Sequence, residues 1–194
     1  GPGGVRKTVS RWVITGRLEL VTAAHFGGEN NGVADLCLVR DRAEEVPLLP
    51  GASLAGTLRS YLADRTGGYQ DKAYGKTALF GGEREQTDGD QSPLIVFDSW
   101  GRLPKKGRYE IRDGVAIEPA RGTAEDHFKY DAELLPPGTT FGLRMDLVVL
   151  QDDASREETW LGALAAAAQG LQEGEIRLGA RGSRGWGACR AAEW

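Results

Sequence analysis

Residues 139–174 read TTFGLRMDLVVLQDDASREETWLGALAAAAQGLQEG, and this stretch contains both kinds of element from which the fold is built. Its first third alternates between apolar and other side chains, which is the spacing of a strand buried on one face. The apolar positions are Phe141, Leu143, Met145, Leu147 and Val149. We therefore predict a strand over residues 139–150, the clearest strand in the chain.

A helix is predicted directly after this strand. Ser155 is the expected N-cap, and Glu158, three residues later, would complete a capping box. Gly174 is expected to end the helix, because glycine readily adopts the conformation that follows a helix C-terminus. The apolar stripe that we expect to be buried comprises Trp160, Leu161, Leu164, Ala168 and Leu171.

The chain before this stretch predicts more strands and another helix. Residues 11–22 alternate, and residues 36–40 and 94–97 form short strand-like runs. One face of the first strand is expected to carry Trp12, Ile14, Leu18 and Leu20. Residues 53–65 have apolar positions at helical spacing, with Ser53 as the expected N-cap. A last short strand is expected near the C-terminus.

The element order predicts the fold class. Strand, helix, strands, helix and strand in this order favour an α+β fold of the ferredoxin-like type, an antiparallel sheet with two main helices on one face. Residues 109–135 are predicted to add a long hairpin with its tip near Gly122. Residues 69–92 are polar and irregular, which is typical of a surface insertion.

The domain organisation follows from the absence of a composition shift. Residues 5–194 are expected to form a single domain of the RNA-recognition-motif type, with insertions at about 69–92 and 105–135. Residues 1–3, Gly-Pro-Gly, are interpreted as the remnant of a cleaved tag that is not part of the fold.

The composition is that of a globular protein with an excess of glycine. There are 28 glycines in 194 residues, and they cluster in turns and in places where the backbone must approach something closely. The net charge of −4 excludes a uniformly basic surface but allows a local basic groove. Cys37 and Cys189 are too few for a four-ligand zinc site and fit a reducing, cytoplasmic setting. No apolar run is long enough for a membrane helix, so no membrane partner is expected.

A loop rich in glycine and arginine near the C-terminus is the strongest local signal. Between residues 177 and 190 there is no acidic residue. The arginines and glycines are Arg177, Arg181, Arg184, Arg190, Gly179, Gly182, Gly185 and Gly187. Glycines let backbone amides approach a phosphate, and arginines add bidentate charge, so the loop predicts a phosphate site. A solvated turn with chance arginines is the alternative. No Gly-Lys-Ser/Thr follows, which excludes a Walker loop.

The run PLLPGASLAGTLRSYL at residues 47–62 is the second candidate. Pro50 and Gly51 would bend the chain so that the amides of the first helical turn, around Ser53, could bind an anion. Arg59 could reach the same groove. An ordinary capped helix explains these residues too, and composition alone favours that interpretation.

The loop HFGGENNGVAD at residues 25–35 is the third candidate. His25 could stack on a base, act as a general base or simply pack in the structure. Asp35 could hold a metal ion or form an Asx turn before the next strand. With a single carboxylate, the metal would be a hard and mostly hydrated cation such as magnesium.

The predicted hairpin mixes cations with rings, a combination that suits stacking on single-stranded nucleic acid. The residues are Arg112, Arg121, His127, Phe128, Lys129 and Tyr130. Acidic residues are interspersed among them, so a solvated hairpin is an equal alternative.

Taken together, these segments resemble the RAMP superfamily of CRISPR proteins, and more narrowly the backbone subunit of type III effector complexes. The motifs are the histidine-containing glycine loop, PLLPGASLAGTLR, LFGG at residues 79–82, DGVAIEPARGTAEDHFKYDAELLPPGTTF and the final GARGSRGWG. They cover the chain from about residue 11 to residue 190.

The resemblance implies subunits that stack as a filament on a guide crRNA, together with other effector subunits. A family aspartate that cleaves target RNA with a divalent metal matches Asp35. The hairpin would be a thumb that kinks the guide–target duplex. The expected RNA-binding residues are His25, Ser53, Arg59, Arg121, Phe128, Lys129, Arg181, Gly182 and Arg184.

Two departures from the family pattern leave alternatives open. The chain is short for such a subunit, which fits one domain of a fusion, and residues 69–92 match poorly. A non-catalytic scaffold or capping subunit would bind RNA without cutting it. A guide-processing ribonuclease would use His25 as acid and base without a metal. Zinc, which some fusions carry, is not expected with two cysteines.

Overall fold

The computed structural model describes residues 7–25, 37–40, 45–65, 79–80, 92–104, 110–112, 115–117, 134–179 and 185–194. The strands are β1 (Thr8–Leu20), β2 (Ala24–His25), β3 (Cys37–Arg40), β4 (Glu45–Leu49), β5 (Leu94–Val96), β6 (Ser99–Arg102), β7 (Glu110–Arg112), β8 (Val115–Ile117), β9 (Leu134–Leu135), β10 (Thr140–Leu150) and β11 (Cys189–Ala192). The helices are α1 (Gly51–Arg65) and α2 (Glu157–Gln172), and a 3₁₀ helix covers Gln151–Arg156.

An antiparallel sheet of seven strands is the centre of the described part of the chain. Its order is β11-β1-β10-β6-β4-β3, and β5 also pairs with β10. β5 and β6 lie one after the other along the same side of β10. Between them the Phe97 amide donates a hydrogen bond of 3.1 Å to the Arg144 carbonyl. The pairs β2–β9 and β7–β8 are separate from this sheet.

One face of the sheet, here called the core face, is apolar and buried. Leu18 lies opposite Phe141 and Ile14 opposite Met145, and such directly opposed residues share a face. The five apolar β10 positions predicted from the sequence are all at most 2% exposed. The prediction of this strand is confirmed.

Both helices cover the core face. Leu58 of α1 and Leu164 of α2 belong to the same buried cluster as Met145. The helices also touch each other, since a Cβ added to Gly170 would lie 2.5 Å from the Tyr61 ring. The predicted α+β fold, an antiparallel sheet with two helices on one face, is confirmed.

The predicted start of α1 was wrong. The helix begins at Gly51, and the Leu54 amide donates the first helical hydrogen bond, of 3.1 Å, to the Pro50 carbonyl. Ser53 therefore lies inside the first turn and is not the N-cap. The cap comes from another segment: Asp98 Oδ1 accepts a hydrogen bond of 2.8 Å from the Gly51 amide.

The predicted capping box of α2 was also wrong. The 3₁₀ helix leads directly into α2, so the Glu157 amide already donates to the Ala154 carbonyl. Ser155 lies inside the 3₁₀ helix, and the N-cap position, Arg156, makes no capping hydrogen bond with its side chain. Gly174 follows the helix with φ +73°, as predicted.

The buried stripe of α2 differs in part from the prediction. Leu161 and Ala168 are only half-buried, because the close contact with α1 turns other positions inward. The buried residues are Trp160, Ala163, Leu164, Ala167, Gly170 and Leu171.

The predicted long hairpin was wrong in its strand pairing. Arg112 pairs with Val115, so β7 and β8 form a much shorter hairpin. β9, at the far end of the predicted hairpin, pairs with β2 instead. The sequence between β7 and β8 is Asp113-Gly114, a pair that is typical of two-residue hairpin connections. The predicted tip near Gly122, and most of the predicted insertions, lie outside the described residues. Within the described part, neither helix is long and apolar enough to span a membrane.

Candidate nucleic-acid interface

Most of the predicted site residues lie outside the described part of the chain. These are Asp35, Arg121, Phe128, Lys129, Arg181, Gly182 and Arg184. Their roles stay predictions. Ser53 and Arg59 are described with their side chains, and His25 by the backbone of β2.

The base of the Gly–Arg loop (residues 177–190) is closed by backbone hydrogen bonds. The Leu178 amide donates to the Gly187 carbonyl at 2.9 Å, and the Gly187 amide donates to the Ala23 carbonyl at 2.7 Å. Gly187 has φ +70°, and an added Cβ would lie 1.9 Å from the Leu178 carbonyl oxygen, so only glycine fits there. Because Ala23 immediately precedes β2, the loop base lies beside the strand that contains His25.

The start of α1 is a tight junction. A Cβ added to Gly51 would lie 1.9 Å from the Val96 carbonyl oxygen, so the helix start is pressed against the junction of β5 and β6. The Asp98 carboxylate, 2.8 Å from the Gly51 amide, already supplies negative charge at the positive end of the helix. An external anion would therefore have to share this helix end with a carboxylate of the same chain.

Ser53 and Arg59 lie on one helix but on different sides of it. Six residues correspond to a rotation of about 240° and a rise of about 9 Å, so the two Cβ directions differ by about 120°. Both side chains are half-buried. For both residues to line the single groove that was predicted, the long side chain of Arg59 would have to reach around the helix toward Ser53.

A cluster on the opposite face of the sheet, here called the open face, was missed by the sequence analysis. Asp146 lies in β10 with its side chain 0% exposed. Its carboxylate accepts hydrogen bonds from Arg144, at 3.1 and 3.2 Å, and from Arg11, at 2.6 Å. These hydrogen bonds, from Arg144 first and then Arg11, hold the pKa of Asp146 below its usual value. The carboxylate is therefore ionised at neutral pH.

Arg144 is held on a second side by an aromatic ring. Its guanidinium lies 5.0 Å from the centre of the Phe97 ring, within the range of a cation–π contact. The hydrogen bonds to Asp146 raise the pKa of Arg144. Half of the Arg144 side chain is still exposed, so a fixed cation faces the solvent on the open face.

The open face also exposes large apolar side chains. Val13, Ile95, Phe97 and Trp100 are between 37% and 57% exposed. The sequence contained a signal for this face. In TFGLRMDLVV the residues between the buried positions of β10 include Gly142, Arg144 and Asp146, and such residues point away from the core. Their partners come from β1 and β5, and identifying them requires the strand register.

Metal ligands are sparse in the described part of the chain. Within the described ranges, no group of three or more His, Cys, Asp or Glu residues could hold a metal ion. Cys189 is buried, and its thiol donates to the Ile176 carbonyl at 3.2 Å. Burial raises its pKa to about 12, so it is a packed thiol rather than a thiolate.

Comparison with known proteins gives one family. A family model described as the RAMP superfamily matches residues 17–190. The protein described as CRISPR system Cms endoribonuclease Csm3, from Enterococcus italicus, is 36% identical over 58 residues. This match covers 28% of the chain and 27% of the relative, so the chain matches only about a quarter of the length of that protein.

Solved structures with the same fold cover nearly the whole chain. A chain of the crystal structure of the Csm3-Csm4 subcomplex in the type III-A CRISPR-Cas interference complex has a TM-score of 0.54 at 19% identity, covering 97% of this chain and 78% of that one. Oligomeric Cmr4 from Pyrococcus furiosus has a TM-score of 0.52 at 15% identity, covering 94% and 98%. The Type III-B Cmr-beta complex bound to cognate target RNA gives 0.51 at 14% identity, covering 95% and 60%. At these identities the likeness concerns the fold.

Proposed function

The chain belongs to the RAMP superfamily, and from this premise we propose that it is a guide-RNA-binding backbone module of a type III CRISPR effector complex. We further propose that it cleaves complementary target RNA through Asp35. The observation that carries the proposal is the family match over residues 17–190. Base pairing with the guide would select the target, while the protein would recognise backbone and shape.

The Gly–Arg loop supports guide binding. Gly179, Gly185 and Gly187 have φ values of +84°, +82° and +70°, so the loop is entered and left through conformations that favour glycine. Such a backbone can bring amides close to a phosphate. Arg181 and Arg184, between these glycines, would add bidentate hydrogen bonds to phosphate oxygens. Arg121, Phe128 and Lys129, in the segment between β8 and β9, are further residues proposed to contact RNA.

Asp35 is the proposed catalytic residue. It lies two residues before β3, which pairs with β4, the strand that leads into α1. Its carboxylate would orient the attacking 2′-hydroxyl of the target and take its proton as the new bond to phosphorus forms. The 5′-oxygen of the next nucleotide would leave. A lone carboxylate suits a hydrated magnesium ion, which would neutralise charge on the phosphate oxygens.

The proposed partners are a guide crRNA, a target RNA, further copies or homologous modules in a filament, and other effector subunits. Two other functions use the same RNA-binding surface. A scaffold or capping module would bind RNA without cutting it. A guide-processing ribonuclease would use His25, whose strand lies beside the base of the Gly–Arg loop, and would need no metal.

The test uses the chain assembled with a guide RNA and a labelled complementary target. Cleavage with magnesium that stops with chelator supports the proposal. Asp35→Asn should lower the cleavage rate by at least about 100-fold, or about 2.7 kcal/mol in barrier, and change target affinity by less than about threefold. Cleavage that survives chelator but not His25→Ala would favour the guide-processing enzyme. Binding without any cleavage would favour the scaffold.

A further inference from the structure

The open face of the sheet is laid out in rows that follow from the strand registers. Val13 is the Cα partner of Asp146, and Asp146 is the partner of Ile95. Further along β10, Arg17 is the partner of Gly142. The pairing of β10 with β6 ends at Phe141 opposite Gly101, and the next residues along the two strands are Gly142 and Trp100. Gly142 therefore has Arg17 as its partner on β1, and Trp100 follows the last paired residue on the other side.

Gly142 leaves a gap in the middle of this row. A Cβ added there would meet nothing within 4 Å. On one side Trp100 is 57% exposed. On the other side the Arg17 side chain is 53% exposed, and its guanidinium lies 3.9 Å from the exposed carboxylate of Glu193. A glycine inside a strand often marks a place where a ligand approaches the backbone closely. A gap between an indole and a guanidinium, above flat backbone, fits an aromatic ring.

Fixed cations lie further along β10 on the same face, since Arg144 is two residues and Asp146 four residues from Gly142, or roughly 7 and 13 Å along the strand. Asp146 hydrogen-bonds both Arg11 and Arg144, whose side chains remain 55% and 50% exposed. The carboxylate itself is 0% exposed, so it orients the two guanidiniums without presenting negative charge to the solvent. Guanidiniums held in this way suit phosphate oxygens, because little side-chain entropy is left to lose on binding.

The charge on this face differs from that of the chain. The chain has a net charge of −4. Besides Arg190, which lies opposite Glu19, the open face carries four arginines; Asp146 is enclosed, and two acids lie at one end, Glu19 and Glu193, the latter 3.9 Å from Arg17. The arginines are Arg11, Arg17, Arg102 and Arg144. A protein partner would have to desolvate these cations and supply carboxylates, whereas RNA brings phosphates and flat bases together.

We propose that the open face binds single-stranded RNA, with an unpaired base stacked on Trp100 above Gly142 and neighbouring phosphates bound by Arg17 and Arg144. The inference rests on the proposed function and adds a second RNA-binding surface to the Gly–Arg loop. It requires a single strand, because the base faces of a duplex are stacked on each other and are not free to contact Trp100.

The test measures the affinity of the full chain for a fluorescent oligouridylate of about a dozen nucleotides, and for the same strand annealed to its complement. Trp100→Ala should weaken single-strand binding by about fivefold to 150-fold, the range expected for removing one base–aromatic stack. Gly142→Val should also weaken it by filling the gap, and valine suits a strand. Trp12→Ala is the matched control, since Trp12 is 44% exposed but lies on the core-face side of β1.

The outcomes separate this inference from the proposed function. Weakening by Trp100→Ala and Gly142→Val, with Trp12→Ala unchanged and the duplex bound more weakly, supports it. If both variants bind as the wild type while Arg181→Ala with Arg184→Ala does not, the open face is excluded and the proposed function stands. If the wild type binds no RNA, both the proposed function and this inference are wrong. If the variants change only self-association, measured by sedimentation, the face docks a second copy and the inference is wrong.

Discussion

The carboxylate of Asp98 accepts a hydrogen bond of 2.8 Å from the amide of Gly51, so the first helix is capped by a residue 47 positions later in the chain. This contact joins the start of α1 to the junction between β5 and β6. It stabilises the helix end and it fixes where the helix sits on the sheet.

Removing this cap should destabilise the protein. Asp98→Ala leaves the Gly51 amide without its acceptor, and the loss of a capping side chain typically costs about 1 kcal/mol. The measurement is the free energy of unfolding in urea. Asp64→Ala is the matched control, because Asp64 is an exposed acid in the last turn of α1, where negative charge is unfavourable. Equal stability of Asp98→Ala and wild type would contradict the capping role.

The contact between α1 and α2 predicts opposite effects at two glycines. Gly170→Ala would press a Cβ against the Tyr61 ring, and overpacking costs about 1–3 kcal/mol. The ring is held in place because its hydroxyl donates a hydrogen bond to Glu175 and accepts one from Arg65. Gly162→Ala meets open space on the exposed side of α2 and should stabilise by up to about 1 kcal/mol. Thermal unfolding of the two variants measures the difference. Similar shifts in the same direction would exclude the tight contact.

The buried Asp146 predicts a pH dependence of stability. Its pKa is lowered in the folded protein by Arg144 and then Arg11, so it binds a proton less readily than in the unfolded chain. Its contribution is therefore complete above the unfolded pKa of about 3.9 and is lost as the pH falls through the lower, folded pKa. Asp146→Asn should be less stable than wild type at pH 7, and the difference should shrink below about pH 4. A difference that is constant from pH 7 to pH 2 would show that the charge of Asp146 is not the cause.

The Gly–Arg loop predicts an electrostatic contribution to RNA affinity. Arg181→Ala with Arg184→Ala should weaken binding regardless of RNA sequence. The slope of log affinity against log salt should fall by roughly one, at about 0.7 for each phosphate that the protein no longer neutralises. Fluorescence anisotropy over a salt series measures both quantities. Arg156→Ala is the control, since this arginine lies in the 3₁₀ helix and pairs with Asp153 at 3.7 Å. A folded double mutant with wild-type affinity and slope would remove the loop from the interface.

Cys189 should be chemically inert in the folded protein. Burial raises its pKa to about 12, so almost no thiolate is present at pH 8. Iodoacetamide should label it only after unfolding in urea, as measured by peptide mass spectrometry. Rapid labelling of Cys189 without denaturant would mean that the end of the sheet opens easily.

The parts of the fold that the sequence predicts are those with a complete local pattern. β10 and α2 are long, and each has one apolar face within its own sequence, so their existence follows from periodicity alone. β4 and β6 were missed. β4 contains Pro47, which argues against a strand, and β6 is the four-residue run SWGR. Both are strands because of the partners that they pair with, and no local pattern encodes those partners.

In the candidate site, too, the features with a local sequence pattern were predicted, and the features that depend on strand pairing were missed. The glycines of the Gly–Arg loop are visible in the sequence, and Gly179, Gly185 and Gly187 adopt the conformations that favour glycine. The cluster around Asp146 was missed because Arg11 and Asp146 are 135 residues apart and meet only through the register of β1 with β10. The helix caps were misplaced for a similar reason, since Asp98 is distant from Gly51 in the sequence.

The closed base of the Gly–Arg loop has a consequence for how such a protein can evolve. The hydrogen bonds from Leu178 to Gly187 and from Gly187 to Ala23 hold the two ends of the loop without using residues 180–184. Substitutions at these five positions leave both backbone hydrogen bonds in place, so selection can change what the loop binds without opening its base. The same property makes the segment suitable for exchange in the laboratory: libraries that randomise only residues 180–184 should keep most members folded and vary mainly in what they bind.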